Sequence, residues 1–452
     1  MLAVLGSYAW AVVRVAWCTM NIFVFSAVYL TYICALFPLK KIWPRLFWWA
    51  EGKIYRWMEA QIGNWGLTGG FQRKRLPSSR VRECGGCRPR LFWYAEGLLY
   101  KWMNGVLGSW GISAGFRLVE YGDEMEVWDE RCLVIANHQT TADVPTISAL
   151  LQDKGKAANK VCWVIDSSFR WTPFGICGQV HGDCFVTQGR ERREQEMENL
   201  KKNLEKVFWK RDRRWIVIFP EGNFLYKQKE SNRRWAEKNG FPLTDFVLLP
   251  RYGAVKLALQ SVGPKESRSR SGTEGELGKE QQAVVGAEGS GNLLVPGTEG
   301  MKHATSRGEL IKDTFAAIRS KQYLTETKPG IKYVVELTLA YEDPANAPGL
   351  HTLCLGLHPQ TIRIHYRVHD AADIPYEDED RLRDWIYGIW LEKDRMLKEY
   401  YRTGVFAFGE EGRPYRMSYQ KLVAQHAFFL GSSAIIARYL LWPLFAALVA
   451  LF

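Results

Sequence analysis

His138 and Asp143 lie five residues apart and have the chemistry of a general base and the acid that orients it. A second pair, His365 and Asp370, has the same spacing, so spacing alone does not select a site. His365 lies in an alternating segment typical of a strand, where residues five apart point to opposite faces. His138 follows an apolar run and precedes a helical pattern. The first pair therefore meets if His138 lies in the turn and Asp143 in the first helical turn.

The turns that follow two apolar runs carry the other polar candidates. Thr140 and Thr141 lie in the turn after the run CLVIA and are typical N-cap residues for the helix that begins near Asp143. The sequence FPEG places Glu221 at the end of the run WIVIF, where we expect its carboxylate to face a site. Ordinary turn chemistry is the alternative explanation for that sequence.

Short apolar runs alternate with helical patterns through the middle of the chain. The predicted strands lie at 132–136, 161–165, 184–186, 215–219, 247–249, 333–341 and 361–368. Helical patterns cover 191–210, 254–262 and a long charged stretch near 378–402. Because most of these strands are continuously apolar rather than alternating, they indicate a sheet that is covered on both faces. The sequence therefore predicts an α/β fold.

The N-terminal region contains an uncharged segment, 15–39, whose 25 residues exceed the ~20 needed to cross the hydrocarbon core of a bilayer. It lacks the basic start and cleavage site of a signal peptide, so we predict an uncleaved transmembrane anchor over 1–44. Arg14 precedes the segment, whereas Lys40 and Lys41 follow it. The positive-inside rule then places the bulk of the chain in the cytosol.

The C-terminal segment 421–452 is also apolar, but Arg438 divides it into two runs that are each too short for a comfortable span. One tilted helix with Arg438 snorkelling to the interface fits this pattern, and so does a re-entrant hairpin. A buried amphipathic helix pair is the third alternative. We predict an apolar C-terminal membrane segment.

A tandem repeat follows the N-terminal anchor. Residues 45–71 recur at 90–116, and 15 of the 27 positions are identical. Three explanations fit the tryptophan-rich copies. They lie at a membrane interface, they pack against the following domain, or they are a duplication in which one copy has no role. The second copy leads directly into the candidate site, so we expect it to be structural and the segment 45–89 to be dispensable.

Two further segments have linker composition. Cys84 and Cys87 form a lone CxxC between the repeat copies, which indicates an exposed linker, and no metal site is predicted. Residues 261–308 are rich in Gly, Ser and Glu and lack aromatic residues. They cannot bury enough apolar surface to offset the entropy of ordering, so we predict a disordered insertion there.

The overall charge is basic, with 60 Lys and Arg against 48 Asp and Glu in 452 residues. Such an excess fits nucleic acid, an anionic membrane or a phosphate-bearing substrate. The basic residues are interleaved with acids, as in RERREQEMENLKK, and no nucleic-acid module is present, so we predict no nucleic-acid partner. The GxSxG sequence GISAG at 111–115 does not follow a predicted strand, as a nucleophile elbow would, which argues against a serine lipid hydrolase. A hydrophobic content of 47% excludes a wholly disordered chain.

Four sequence blocks occur in a characteristic order: NHQTTAD at 137–143, GDCFVTQ at 182–188, FPEG at 219–222 and LPRYGA at 249–254. The ordered set resembles the glycerolipid (PlsC-like) acyltransferase family over roughly residues 90–375. The longer runs LFWYAEGLLYKW, LQDKG, FGICGQVHGD, QGR, DRRWIVIFPEG and LPRYGA look like its animal lysophosphatidylglycerol acyltransferase branch. The resemblance implies a mixed sheet covered by helices. It also implies acyl transfer from acyl-CoA to a lysophospholipid hydroxyl, with His138 as general base and Asp143 as its orienting acid.

The resemblance also implies that Phe185, Glu221, Gly222, Pro250 and Arg251 bind substrate. Arg190 and Lys227 lie near these blocks, and we predict that they contact a phosphodiester. Gln188 and Phe224 stand where lysophosphatidate acyltransferases have arginines that bind the acceptor phosphate. Losing two such groups disfavours lysophosphatidate and favours lysophosphatidylglycerol or a related lysophospholipid. Ordinary surface charge is the alternative for Arg190 and Lys227.

The predicted organisation is an anchor at 1–44, a repeat and linker at 45–89, an acyltransferase domain at 90–375, a helix and linker at 376–420 and a membrane segment at 421–452. Acyl-CoA is expected as co-substrate, with no other cofactor. The expected location is the endoplasmic reticulum membrane, with the catalytic domain facing the cytosol. A non-catalytic lipid-binding scaffold and a monoacylglycerol acyltransferase are the alternative functions.

Overall fold

The computed structural model describes residues 2–42, 88–124, 126–155, 157–187, 189, 191–264, 330–407 and 409–449. The first repeat copy, the CxxC linker and residues 265–308 of the predicted insertion lie outside the described residues, as do Gln188 and Arg190.

A single mixed sheet organises the described chain. Its eight strands follow the order β4-β3-β5-β2-β6-β7-β1-β8. The strands are β1 Arg117–Gly122, β2 Cys132–Ala136, β3 Val161–Asp166, β4 Cys184–Val186, β5 Trp215–Ile218, β6 Tyr333–Tyr341, β7 Thr361–Asp370 and β8 Arg413–Tyr415. Neighbours from β4 to β6 are parallel, as are β7 and β1, whereas β6–β7 and β1–β8 are antiparallel. The predicted α/β class and mixed sheet are confirmed.

Helices cover both faces of this sheet. They are α1 Leu2–Ile42, α2 Arg88–Ser113, α3 Asp143–Leu150, α4 Ala157–Lys160, α5 Pro173–His181, α6 Arg193–Val207, α7 Leu225–Asn239, α8 Gly253–Val262, α9 Leu350–Leu355, α10 Glu379–Thr403, α11 Tyr419–Ile436 and α12 Trp442–Val449. Along β2, Cys132, Val134 and Ala136 join one apolar core, and Leu133 and Ile135 join the other. Two covered faces explain why β2 is continuously apolar.

The predicted strand at 247–249 is wrong. Leu248 donates its backbone N–H to the carboxylate of Glu221 at 3.1 Å, and Leu249 donates to Asn232 Oδ1 at 3.0 Å. The run is buried, but its backbone bonds to side chains instead of a neighbouring strand. The sequence analysis also missed β1 and β8. β1 contains charged residues, and β8 is only three residues long. Both strands lie near the edge of the sheet opposite β4.

The second repeat copy forms α2 and packs into the domain. Trp102 and Trp110 are fully buried. Gly97 and Gly108 touch neighbouring backbone so closely that a Cβ would lie 2.3 Å from Asn159 O and 2.5 Å from the backbone N of Ala149. For this copy, the packing interpretation of its aromatic residues is therefore correct.

Helix α1 contains the segment Ala9–Ala35, which is long and apolar enough to cross a membrane. Phe25 and Tyr29, on one side of the helix, join the domain core, whereas Trp10 and Phe23 are exposed. The N-terminal apolar helix thus both packs on the α/β domain and presents apolar surface outward.

The described C-terminal segment is one helical rod. Helix α11 continues through a π-helical turn, Ala437–Leu441, into α12. Tyr32 of α1 packs its ring 5.9 Å from that of Phe429. Because the backbone stays helical through Arg438, the re-entrant hairpin and the helix pair do not describe residues 419–449.

Candidate active site

His138 and Asp143, the candidate catalytic pair, lie at the carboxyl ends of the central parallel strands. β2 ends at Ala136, His138 lies in the following turn, and Asp143 begins α3. His138 Nδ1 lies 2.8 Å from Asp143 Oδ2. This is the arrangement that the sequence required for the two side chains to meet.

The direction of this hydrogen bond defines the reactive atom. An ionised carboxylate only accepts, so Nδ1 of His138 carries the proton and Nε2 is the basic nitrogen. No protein group bonds Nε2 among the described residues. The site can therefore remove a proton from a hydroxyl group that approaches Nε2.

Two aromatic rings enclose the imidazole. The Phe219 ring stacks on His138 with centroids 4.0 Å apart, and the Phe224 ring lies 4.3 Å away, tilted by 50°. The His138 side chain keeps 14% of its surface exposed. The rings limit rotation of the imidazole.

β6 and the segment after it hold the turn 137–142, the candidate catalytic turn. Asn137 exchanges two hydrogen bonds with the backbone of Leu339, at 3.0 and 2.8 Å. Thr140 Oγ1 donates to Pro348 O, and Thr141 Oγ1 accepts from the N–H of Leu350, both at 2.7 Å. The predicted N-cap role of both threonines is wrong, because their hydroxyls bond this distant segment and α3 has no side-chain cap.

Glu221 faces the interior of the protein. Oε1 accepts the backbone N–H of His138 at 3.1 Å and the indole N–H of Trp390 at 3.2 Å, while Oε2 accepts from Leu248. Burial raises the pKa of Glu221 to about 8, although the three N–H donors favour the ionised form. With both oxygens bonded to protein, Glu221 is placed to fix the catalytic turn rather than to touch an acceptor.

The FPEG turn also holds the fourth sequence block. Arg251 donates its backbone N–H to Pro220 O at 2.7 Å. Gly222 has a φ of +68°, and a Cβ there would lie 3.5 Å from the Arg251 guanidinium. Pro250 is buried and Arg251 is exposed. The structure thus brings Gly222, Pro250 and Arg251 together beside Glu221.

The remaining predicted substrate residues are dispersed. Lys227 Nζ lies 5.1 Å from the Phe224 ring centroid, near the catalytic histidine. Phe185 lies on β4, which β3 and β5 separate from β2, so it is about 14 Å from β2 across the sheet. Its ring packs under the Arg170 guanidinium at 5.7 Å. The structure therefore does not bring Phe185 to His138.

A buried charge network supports the amino ends of β3 and β5, at the opposite end of the strands from His138. Glu96 of α2 bonds His181 Nδ1 at 2.6 Å and the Arg213 guanidinium at 2.9 Å. Burial opposes its ionisation, but these partners prevail and lower the pKa of Glu96 to about 2. Burial raises the pKa of nearby Asp183 to about 7. The sequence motif GD at 182–183 is thus structural here, a role that sequence reasoning missed.

Comparisons with known proteins identify the family of this chain. A family model described as Acyltransferase matches residues 118–264, and one described as Acyltransferase C-terminus matches 352–429. Acyl-CoA:lysophosphatidylglycerol acyltransferase 1 of Homo sapiens is 33% identical over 88% of this chain and 83% of its own. The Mus musculus protein of that name is 32% identical with the same coverage. The crystal structure of the 1-acyl-sn-glycerophosphate acyltransferase PlsC from Thermotoga maritima is 11% identical, covers 67% of this chain and 81% of its own, and has a TM-score of 0.33. The chain belongs to the glycerolipid acyltransferase family and is an O-acyltransferase.

Proposed function

We propose that this enzyme transfers a fatty acyl group from acyl-CoA to the hydroxyl of a lysophospholipid, lysophosphatidylglycerol or a close relative. The printed names of the human and mouse relatives support this acceptor class. The observation that carries the proposal is the 2.8 Å bond between His138 Nδ1 and Asp143, which leaves Nε2 available as a base.

The proposed reaction needs no acyl-enzyme intermediate. Nε2 of His138 takes the proton of the acceptor hydroxyl while the hydroxyl oxygen forms a bond to the thioester carbonyl carbon. The tetrahedral intermediate then expels the CoA sulfur, which takes the proton from the imidazolium. Asp143 holds the imidazole tautomer and stabilises the imidazolium between these steps.

The surroundings of His138 favour an acceptor without a free phosphomonoester. The apolar ring of Phe224 lies against the imidazole, and the adjacent Tyr226 ring stacks on it with centroids 5.7 Å apart. Lys227 supplies one ammonium group beside these rings. A single point charge suits the single negative charge of a phosphodiester, whereas a bidentate arginine suits a phosphomonoester.

We place the enzyme in the endoplasmic reticulum membrane with its active site facing the cytosol. The exposed apolar side chains of α1 and of the helical rod 419–449 support membrane insertion. Helix α1 and the helical rod pack against each other where the Tyr32 ring contacts the Phe429 ring, so their exposed apolar surfaces are adjacent. Lys40 and Lys41 at the end of α1 support the cytosolic orientation.

An acceptor panel tests the proposal. The full-length enzyme, purified in detergent, receives labelled oleoyl-CoA and one of five acceptors: lysophosphatidylglycerol, lysophosphatidylethanolamine, lysophosphatidylinositol, lysophosphatidate or monoacylglycerol. We expect the highest kcat/KM with a lysophospholipid phosphodiester and the lowest with lysophosphatidate. Preference for lysophosphatidate, or no labelled product from any acceptor, would contradict the proposal.

A further inference from the structure

The Asp143 carboxylate accepts hydrogen bonds from three donors, one of which lies far outside the NHQTTAD block. Oδ2 accepts from His138 Nδ1 at 2.8 Å and from the backbone N–H of Thr140 at 3.0 Å. Oδ1 accepts the hydroxyl of Tyr341. The Asp143 side chain has no exposed surface, so these donors replace the water that would otherwise stabilise its charge.

Tyr341 is held firmly in this position. It is the last residue of β6 and is fully buried. β6 pairs directly with β2, the strand that leads into His138, with Ala136 opposite Leu337. Leu337, Leu339 and Tyr341 alternate onto the same core-facing side. A residue on a paired central strand supports a carboxylate more rigidly than a loop residue does.

We propose that Tyr341 is a positioning residue for acyl transfer that acts through Asp143. The proposal rests on the proposed function, in which His138 is the general base. The bond from Tyr341 to Oδ1 fixes the plane of the carboxylate, so that Oδ2 faces Nδ1 of His138. In general, a hydrogen bond donated to a carboxylate makes that carboxylate a weaker base. Tyr341 itself does not reach Nε2, where the reaction takes place.

The variant Tyr341→Phe tests this role, because it removes the hydroxyl and keeps the ring. We expect kcat to fall about 10- to 100-fold, the effect of losing one hydrogen bond to a charged group. The KM for acyl-CoA should not change. A more basic Asp143 stabilises the His138 imidazolium, so the acid limb of the pH–kcat profile should move to higher pH by about 0.5 to 1 unit.

Tyr366→Phe is the matched control. Tyr366 lies on β7 beside β6, is also buried, and donates its hydroxyl to the Glu120 carboxylate at 2.8 Å. Its loss should leave the pH profile of kcat in place. An unshifted profile for Tyr341→Phe, or equal shifts for both variants, would overturn the proposal, as would failure of Tyr341→Phe to fold, since the hydroxyl would then be structural.

The double variant Tyr341→Phe/Asp143→Asn separates this proposal from the proposed function. If Tyr341 acts through Asp143, removing its hydroxyl should change kcat by less than about threefold once the carboxylate is gone. A full 10- to 100-fold loss in that background would show that Tyr341 acts elsewhere. Undiminished activity of Asp143→Asn alone would instead refute the catalytic pair on which the proposed function depends.

Discussion

At the residue scale, the chemistry of the site depends on how the protein holds one imidazole. Asp143 fixes the tautomer of His138, and the rings of Phe219 and Phe224 limit its rotation. Glu221, which follows the neighbouring parallel strand β5, holds the backbone of the same residue. A base held from three directions loses little entropy when it takes a proton from a hydroxyl.

Asp143→Asn should lower kcat by about 10²–10⁴, because the amide neither stabilises the imidazolium nor enforces the Nδ1–H tautomer. The measurement is kcat with lysophosphatidylglycerol and oleoyl-CoA, with Tm as the check on folding. A variant of normal Tm that keeps kcat within a few-fold of the unmodified enzyme would contradict this role.

Glu221→Gln should change how stability depends on pH. Burial raises the pKa of Glu221 to about 8 in the folded chain, above its usual value near 4.5. Between these two values the folded chain holds a proton that the unfolded chain releases, so the free energy of unfolding falls as pH rises. The expected slope is up to about 1.4 kcal/mol per pH unit relative to Glu221→Gln.

Thermal unfolding of both proteins from pH 5 to 9 measures this difference. The Tm of the unmodified enzyme should decline relative to that of Glu221→Gln up to about pH 8, where the folded carboxyl ionises, and then run parallel. Parallel curves over the whole range would show that Glu221 is ionised throughout.

At the element scale, the segment after β6 connects the N-terminal helix to the catalytic turn. Arg14 of α1 donates to Trp110 O at 2.8 Å and to Leu353 O, in α9, at 3.0 Å. At its other end α9 begins with Leu350, whose N–H bonds Thr141 of the catalytic turn. Helix α9 is thus held at Leu353 by α1 and at Leu350 by the turn that carries His138.

Arg14→Met should destabilise the enzyme by about 1.5–3 kcal/mol, because it leaves two buried carbonyl groups without their charged donor. Lys421→Met is the control, since Lys421 makes an exposed ion pair with Asp153 that contributes little. Differential scanning fluorimetry in detergent should show a Tm several degrees lower for Arg14→Met than for the control. Equal Tm values would mean that α1 is not part of the folded domain.

The sequence predicted the elements whose signals are local and missed contacts made at long range. His138, Asp143 and the parallel strands follow from one turn and from apolar runs. Tyr341 bonds Asp143 from 198 residues further along the chain, and Trp390 bonds Glu221 from 169 residues further along. No local sequence pattern indicates either contact. Trp390 also lies in 376–420, a segment that the sequence predicted as a helix and linker outside the acyltransferase domain.

At the scale of the whole molecule, the repeat allows a clean deletion. The two copies are offset by 45 residues, so removing the 45 residues 45–89 leaves one intact copy. Only the second copy lies among the described residues, where α2 supplies Glu96 and buried tryptophans to the core. Both copies begin with Pro-Arg-Leu-Phe-Trp, so deleting 45–89 joins Pro44 to Arg90 and restores that sequence.

The deletion of 45–89 should therefore preserve acyl transfer and membrane association. The matched deletion of 90–116 removes most of α2, which carries Glu96, and should abolish folding. Membrane fractionation and kcat measure both effects. Loss of activity or of membrane association in the first deletion would show that the first copy has a function of its own.

We propose that His138, rather than another histidine at the same spacing from an aspartate, removes the acceptor proton. His365 provides the comparison, because Asp370 follows it by five residues but lies on the same strand. The His365 ring pairs instead with Glu410, with Nε2 3.2 Å from Oε1. The decisive measurement is the kcat of His138→Ala and His365→Ala with lysophosphatidylglycerol and oleoyl-CoA at normal Tm. We predict a loss of about 10²–10⁴ for His138→Ala and nearly full activity for His365→Ala. Retained turnover in folded His138→Ala would contradict the account.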